Sequence, residues 1–276
     1  MVESRIALVR APNPSPLTLT GTNSYVIDCG NGEAICIDPG PAIESHVEAL
    51  LAHCERIDCA LTLIALTHGH PDHAPAAALL RERTKARIAA HEAGGAARDR
   101  AIRDGDTVAA GDVALHVAAS PGHSADHLVF YEPRERALFT GDTVLGEGYV
   151  LITPPDGDMR AYMHTLARLA REFAQARTIF GGHGEPVRDP AAKLRDYLEH
   201  RLIRERQILD ALNAGPKTVS QLVESIYVQT DRALWPAASQ QVLAYLDALE
   251  REARISSQRF EGSAPVYTLT TRSNSG

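Results

Sequence analysis

The amino-acid sequence predicts a layered α/β domain over residues 1–190 and a smaller, mostly helical domain over residues 191–276. In the first part, short β-branched or apolar runs alternate with helical patterns, a mixture that is typical of layered α/β proteins. From Ala191 onward, leucines recur at helical spacing in a charged segment. The length of 276 residues fits one large and one small domain, because domains usually have roughly 100–200 residues.

The elements of the first domain follow from its hydrophobic pattern. Predicted strands cover residues 24–28, 34–37, 61–66, 87–90, 113–118, 127–131, 137–140 and 178–180. Predicted helices cover residues 42–56, 74–85 and 159–175. Since strands outnumber helices, we expect several strands to pair as hairpins.

The second domain begins with a long amphipathic helix that is marked by regularly spaced leucines. They are Leu194, Leu198, Leu202 and Leu209. Gly215-Pro216 ends this helix, and Thr218-Val-Ser-Gln221 has the form of a capping box that begins a short helix to about residue 227. A third helix is predicted over residues 236–252, and a hairpin over residues 255–260 and 266–270. Three helices followed by a hairpin is the order of a winged-helix domain.

Composition favours a globular protein without a membrane span, and its charge does not by itself indicate nucleic-acid binding. The hydrophobic fraction is 44% and the charged fraction 23%, and the apolar runs are far shorter than the roughly 20 residues that a span needs. The net charge of −7 repels phosphate backbones unless basic residues gather on one face. The first residues lack the apolar region and cleavage site of a signal peptide, so we expect a cytoplasmic location.

The strongest chemical signal is Thr67-His68-Gly69-His70-Pro71-Asp72-His73, with three histidines and one aspartate within six residues. This segment directly follows a predicted strand, so the chain leaves the strand into a tight loop. Neutral imidazole and carboxylate are ligands that Zn²⁺ accepts, as do iron and manganese. The segment therefore predicts a metal site.

Three further metal-capable residues, His123, Asp142 and His183, follow predicted strands. Each lies next to or near a glycine that lets the backbone turn sharply. Taken singly, each is more often a turn histidine or a helix-capping aspartate. Together with the first segment they make seven candidate ligands, enough for two ions that share a bridging ligand.

The pattern His68-x-His70-x-Asp72-His73, followed by His123, Asp142 and His183, resembles the five motifs of the metallo-β-lactamase superfamily. The resemblance implies an αβ/βα four-layer sandwich of two mixed sheets, with the metals at one edge. It implies that His68, His70 and His123 hold a first ion, and that Asp72, His73 and His183 hold a second. Asp142 would bridge the two. Two zinc ions are expected, and iron or manganese would suit the same ligands.

Residues 13–25, 121–127 and 140–148, together with the winged helix, resemble the lactamase-β-2-like subgroup of this superfamily. The subgroup includes a single-strand-specific endoribonuclease and thioesterases of polyketide synthesis, so the resemblance implies a hydrolase and leaves the substrate open. One departure is Ala74-Pro75-Ala76, where many relatives have a pair of small residues. This change bears more on substrate preference than on the metal ligands.

The implied mechanism is hydrolysis by a hydroxide ion. Two neighbouring cations would activate this hydroxide and stabilise the oxyanion that its attack produces. Asp72 is the expected catalytic residue, because it would both bind a metal and orient the nucleophile. Asn23 and Tyr149 are candidates for the pocket lining. His127 is a candidate for substrate contact, and a buried structural role fits its position equally well.

Two substrate classes stay open at this point, single-stranded RNA and a small-molecule thioester or carboxylic ester. The subgroup resemblance favours RNA somewhat. The acidic balance disfavours it unless Arg201, Arg204 and Arg206 line a groove. The sequence leaves the oligomeric state open.

A third hypothesis is a winged-helix nucleic-acid-binding regulator with a metal-sensing domain. The predicted third helix carries Asp247, Glu250 and Glu252 against Arg251. A recognition helix needs basic and amide side chains toward the groove. We therefore expect no binding of duplex DNA, and a winged helix that forms a wall or lid over the metal cleft.

Overall fold

The structure is a computed structural model that describes residues 5–259 and 261–270. Over these residues, two β-sheets pack face to face in the first domain. In spatial order, one sheet contains β1 (Ile6–Arg10), β2 (Asn23–Asp28), β3 (Glu33–Ile37), β4 (Ala60–Ala65), β5 (Arg87–His91) and β6 (Arg100–Ile102). The other contains β11 (Thr178–Gly181), β10 (Ala137–Gly141), β9 (Leu128–Glu132), β8 (Val113–Ala119) and β7 (Thr107–Ala110).

Helices cover the outer faces of both sheets. Helices α1 (Glu44–Arg56) and α2 (Ala76–Thr84) pack on the first sheet, and α3 (Met159–Glu172) packs on the second. Because successive side chains of a strand point to opposite faces, Tyr25 and Ile27 of β2 lie between the sheets, whereas Val26 lies under the helices. The predicted αβ/βα layering is therefore confirmed.

The C-terminal part contains α4 (Pro190–Asn213), α5 (Val219–Ile226), α6 (Trp235–Arg251), β12 (Ile255–Gln258) and β13 (Val266–Leu269). The expected capping box is present, since Thr218 and Gln221 exchange side-chain and backbone hydrogen bonds at the start of α5. The predicted first strand of the hairpin, residues 255–260, included Phe260, which lies outside the described residues. Every helix in the described part of the chain is too short or too polar to cross a membrane.

The predicted domain boundary at residue 190 coincides with the start of α4, yet hydrophobic packing continues across it. Leu166 of α3, Tyr197 of α4 and Leu246 of α6 belong to one buried cluster. The boundary between residues 190 and 191 therefore stays a prediction.

Strands β1, β6 and β7 are missing from the sequence prediction. Strands β1 and β6 lie at the two edges of the first sheet, and β6 has only three residues. Strand β7 lies at the edge of the second sheet, where it pairs with β8. Strands β6 and β7 have only three and four residues, too few to show a period, and the apolar β1 is identified as a strand by its pairing with β2.

Asp158 connects the two parts of the chain. Its carboxylate accepts hydrogen bonds from the backbone N–H groups of Arg160 and Ala161 at the start of α3. It also accepts a hydrogen bond of 2.7 Å from the Arg251 guanidinium of α6. This hydrogen bond, opposed by partial burial, holds the pKa of the Asp158 carboxyl below its ordinary value.

Replacing Asp158 by alanine should lower the free energy of unfolding by about 1 kcal/mol, because a helix N-cap contributes roughly 0.5–2 kcal/mol. Since the folded pKa lies below the unfolded one, this contribution is present above the unfolded value of about 3.9. It is lost as pH falls through the folded pKa. Urea unfolding should therefore show a larger difference between wild type and Asp158→Ala at pH 7 than at pH 3. Asp210→Ala, an exposed change on α4, is the control, and an equal difference at both pH values would contradict the assignment.

Candidate metal centre

The seven predicted ligands lie on four loops that follow strands of both sheets. His68, His70, Asp72 and His73 lie between β4 and α2. The remaining three follow β8, β10 and β11, and they are His123, Asp142 and His183. The structure brings all seven together at one edge of the sandwich.

One group consists of His68, His70 and His123, whose ligand-capable atoms lie within 4.8 Å of one another. Nδ1 of His70 is 3.0 Å from Nε2 of His123. Nε2 of His70 faces the Asp156 carboxylate at 3.2 Å, and because a carboxylate accepts, Nε2 donates and Nδ1 keeps its lone pair. Nδ1 of His70 and Nε2 of His123 therefore face the same point.

The other group consists of Asp72, His73, Asp142 and His183, again within 4.8 Å. Oδ1 of Asp142 is 3.3 Å from Nε2 of His73 and 3.4 Å from Nε2 of His183. Its Oδ2 is 3.7 Å from Nε2 of His123 in the first group. The two oxygens of Asp142 thus face the two groups, as a bridging ligand requires.

Several of these atoms are buried without a hydrogen-bond partner in the described part of the protein. They are Nε2 of His68, Nε2 of His73 and Oδ1 of Asp142. Buried polar atoms that lack a partner cost free energy, and imidazole nitrogen with carboxylate oxygen is a donor set that divalent transition metals accept. The cluster is therefore compatible with a dinuclear metal site.

Asp38 is a functional residue that the sequence analysis missed. Its Oδ2 lies 2.9 Å from Nδ1 of His73, so Nε2 of His73 is turned toward the centre. Its two oxygens also accept hydrogen bonds from the Thr67 backbone N–H at 2.7 Å and from the Thr67 hydroxyl at 2.6 Å. Carboxylates often orient metal-binding histidines in this way. The available signal was a carboxylate directly after an apolar strand, at Ile37-Asp38-Pro39.

Charge is distributed unequally over the cluster. Burial opposes protonation of His73, but the Asp142 and Asp38 carboxylates hold its pKa well above the ordinary value. Burial also lowers the pKa of His183, but the Asp142 and Asp72 carboxylates outweigh this effect and raise that pKa to about 9. Burial and neighbouring imidazoles instead lower the pKa of His68 well below its ordinary value. His68 therefore stays neutral, the form that binds a metal.

Neither Asn23 nor His127 is among the described residues that line the cavity, so contact of either residue with substrate stays a prediction that this geometry does not support. Asn23 is fully buried, and its side-chain amide donates to the carbonyls of Gly181 and Gly184 at 3.0 and 2.7 Å. It therefore holds the loop of His183. His127 is 1% exposed, and its Nε2 accepts the Asp142 backbone N–H at 3.1 Å. Its position matches the structural alternative.

A cavity of about 570 Å³ opens over the candidate metal ligands. Its floor includes His70, Asp72, His123, Asp142 and His183. Its walls are mostly apolar and include Pro16, Leu17, Leu19, Leu145, Val150, Leu151, Pro154 and Pro155. Tyr149 lies in this wall as expected, with its ring stacked on His200 at 3.7 Å. Among the described lining residues, no lysine or arginine appears, whereas Glu147 and Asp156 do.

The cavity is not lined by the three arginines that were considered for an RNA groove, Arg201, Arg204 and Arg206. The Arg201 side chain is buried, with 2% of the residue exposed. The Arg204 guanidinium packs over the Tyr227 ring at 4.6 Å from its centroid. Arg206 is exposed on α4 but lies outside the cavity lining.

Comparison with known proteins agrees with this architecture. Residues 17–183 match the metallo-beta-lactamase superfamily, and residues 218–261 match the beta-lactamase associated winged helix domain. A beta-lactamase-like protein 2 homolog of Caenorhabditis elegans is 30% identical over 258 residues, which cover 90% of this chain and 85% of that protein.

An atrochrysone carboxyl ACP thioesterase of Aspergillus chevalieri is 30% identical over 237 residues, which cover 82% of this chain and 74% of that protein. A metallo-beta-lactamase family protein of Thermus thermophilus shares the fold, with a TM-score of 0.78 at 22% identity over 96% of this chain and 98% of that one. Because the superfamily model matches more than half of the chain and the winged-helix model matches its C-terminal part, this chain belongs to the metallo-beta-lactamase superfamily of hydrolases.

Proposed function

We propose that this protein hydrolyses small-molecule thioesters or carboxylic esters with an apolar acyl group, with the help of two divalent metal ions, preferably zinc. The observation that carries the proposal is the combination of seven convergent ligands with an apolar cavity. Apolar walls bind an acyl chain by excluding water from it. The metal ligands at the floor are then next to the carbonyl carbon at the end of the chain.

The ligand roles follow the two groups of side chains. His68, His70 and His123 would hold one ion, and the other would be held by Asp72, His73 and His183, with Asp142 between them. Two ions bound there supply a hydroxide nucleophile near neutral pH and stabilise the negative charge that develops on the attacked oxygen. Asp72 lies in the cavity floor, and its carboxylate would orient the nucleophile by accepting a hydrogen bond from it.

The charge of the cavity favours an acyl substrate over RNA. Glu147 and Asp156 in the wall repel a phosphodiester, and the described lining contributes no cationic side chain that would offset them. Similarity to a protein named a thioesterase supports the same choice. The endoribonuclease activity stays a prediction, as does the cytoplasmic location.

The regulator hypothesis is the weaker alternative, because α6 packs against the catalytic part. Arg251 of α6 donates a hydrogen bond to Asp158 at the start of α3, and Oε1 of Gln241 on α6 accepts the Ile152 backbone N–H at 3.2 Å. A helix that is covered in this way is not free to enter a DNA groove. Its packing supports the function of a wall beside the cavity.

Zinc-loaded protein should hydrolyse acyl thioesters, with kcat/KM rising as the acyl chain lengthens to fill the cavity. Removal of zinc by a chelator should abolish hydrolysis, and Asp72→Ala and His123→Ala should each lower kcat/KM at least about 100-fold, because even residues that only orient metal ligands contribute 10–100-fold. Asp210→Ala is the control and should match wild type. Full activity of Asp72→Ala would refute its role.

The same preparations should be tested on labelled single-stranded RNA. RNA cleavage that disappears on chelation and in Asp72→Ala, together with inert thioesters, would replace the esterase proposal by an endoribonuclease. Inert RNA and active thioesters are the expected result.

A further inference from the structure

The C-terminal helices bond residues 148–152, here called the wall segment, of which residues 148–151 line the cavity. The Tyr197 hydroxyl of α4 donates to the Gly148 carbonyl at 2.8 Å. The Arg201 guanidinium, also on α4, donates to the Val150 carbonyl at 2.7 Å. On α6, Oε1 of Gln241 accepts the Ile152 backbone N–H at 3.2 Å. Alternate backbone groups of this wall segment are thus fixed by the second part of the chain.

The same wall segment contacts the metal centre from inside. Leu151 lies between Val150 and Ile152, and its carbonyl is 3.1 Å from Nδ1 of His123. A carbonyl oxygen can only accept, so Nδ1 carries the proton and Nε2 of His123 is left to face His70. The place of the Leu151 carbonyl therefore sets the direction in which His123 presents its lone pair.

The Arg201 guanidinium is a cation buried among residues of both parts of the chain. No carboxylate forms an ion pair with it within the described ranges 5–259 and 261–270. Burial of a cation without an anionic partner costs free energy unless its hydrogen bonds are made. The two terminal nitrogens donate to the Val150 carbonyl and to Oε1 of Gln241, the latter at 3.3 Å, whereas Nε is buried without a partner among the described residues. The Tyr162 ring lies 5.1 Å from the guanidinium. Arg201 thus bonds the wall segment and the other residue that anchors it.

We infer that Gln241 and Arg201 are positioning residues for the metal centre. Through the wall segment they hold the Leu151 carbonyl, which in turn orients His123. The inference rests on the proposed function, since it requires His123 to hold an ion. Its consequence is selective: loss of this anchor weakens the ion held by His68, His70 and His123 and spares the other.

The test is the stepwise Zn²⁺ affinity of the full chain, measured by competition with a chromophoric chelator. Gln241→Leu keeps the side-chain size and removes the acceptor, so one of the two affinities should fall roughly tenfold, the lower end of the effect of orienting residues. Gln241→Glu keeps an acceptor for Ile152 and places a carboxylate beside Arg201, so it should restore both affinities. Gln240→Leu, an exposed change on the same helix, is the matched control.

Combining Gln241→Leu with the loss of one ligand from either group shows which ion the Gln241 change weakens. In His70→Ala, where the first group is broken, the remaining affinity should be the same with and without Gln241→Leu. In Asp72→Ala, where the second group is broken, the remaining affinity should still fall roughly tenfold.

The outcomes separate this inference from the proposed function. Equal affinities of Gln241→Leu and Gln240→Leu would overturn the inference, as would an equal loss at both ions with a lower Tm, which marks a merely structural role. A wild-type protein that binds no zinc would instead refute the metal site itself, and the inference with it.

Discussion

Replacement of Asp142 by alanine should lower thioester hydrolysis at least about 100-fold and weaken both bound metal ions, the largest effect expected from a single ligand. Oδ1 of Asp142 faces His73 and His183 at 3.3 and 3.4 Å, and Oδ2 faces His123 at 3.7 Å. Asp142 is thus a carboxylate whose two oxygens face the two groups. Its loss also removes one of the negative charges that hold the pKa values of His73 and His183 above their ordinary value, and leaves Asp38 and Asp72 as their remaining counter-charges.

The measurement is kcat/KM together with the zinc content after dialysis against metal-free buffer. Asp210→Ala, which removes a carboxylate from the exposed face of α4, should keep wild-type values of both. An Asp142→Ala protein that retained two zinc ions and more than about a tenth of the activity would contradict the central place of this carboxylate, since ligand-orienting residues alone contribute that much.

Gly182→Ala should be nearly as damaging, although the change adds only one methyl group. A Cβ at this position would lie 2.4 Å from Oδ1 of Asp142 and 2.6 Å from Cε1 of His73. The backbone cannot retreat, because the Gly182 N–H donates to the Gly141 carbonyl and the Gly182 carbonyl accepts the Asn23 N–H, both at 2.8 Å. Asp142 or His73 must therefore move.

A displacement of about 1 Å at reacting groups can cost roughly 100-fold in rate, and we expect a loss of that size in kcat/KM for Gly182→Ala. Zinc affinity should fall with it, most at the ion assigned to Asp72, His73 and His183. Gly95→Ala is the matched control, because its added Cβ has no atom within 4 Å. Wild-type zinc binding by Gly182→Ala would show that the site accommodates the methyl group and would contradict this packing.

Much of the fold is readable from local pattern. The apolar run predicted at residues 61–66 is β4 (Ala60–Ala65), and His68 follows it as expected. Thr218 and Gln221 form the capping box that their spacing indicates. These predictions are correct because helix and strand periods, and the residues that end them, are local properties of the chain.

The roles of Asp38 and Gly182 in the site could not be predicted from local sequence pattern. A single aspartate after a strand looks like any turn residue until His73 is found 2.9 Å from it. A glycine next to His183 indicates a turn, but its neighbours Asp142 and His73 come from other loops. The edge strands β1, β6 and β7 are similar cases, since their identity depends on the strands beside them.

The sequence by itself determined the layered α/β class, the winged-helix order and the side chains that could bind metal. Only the tertiary structure decided which polar residues face the cavity. Asn23 is buried against Gly181, 158 positions away in the chain, and His127 lies behind Asp142, whereas Tyr149 reaches the wall. The physical reason is that the periodicity of a helix or strand is encoded by residues that are neighbours in the sequence. The contact partner of a side chain is instead set by packing between segments that are far apart in the sequence.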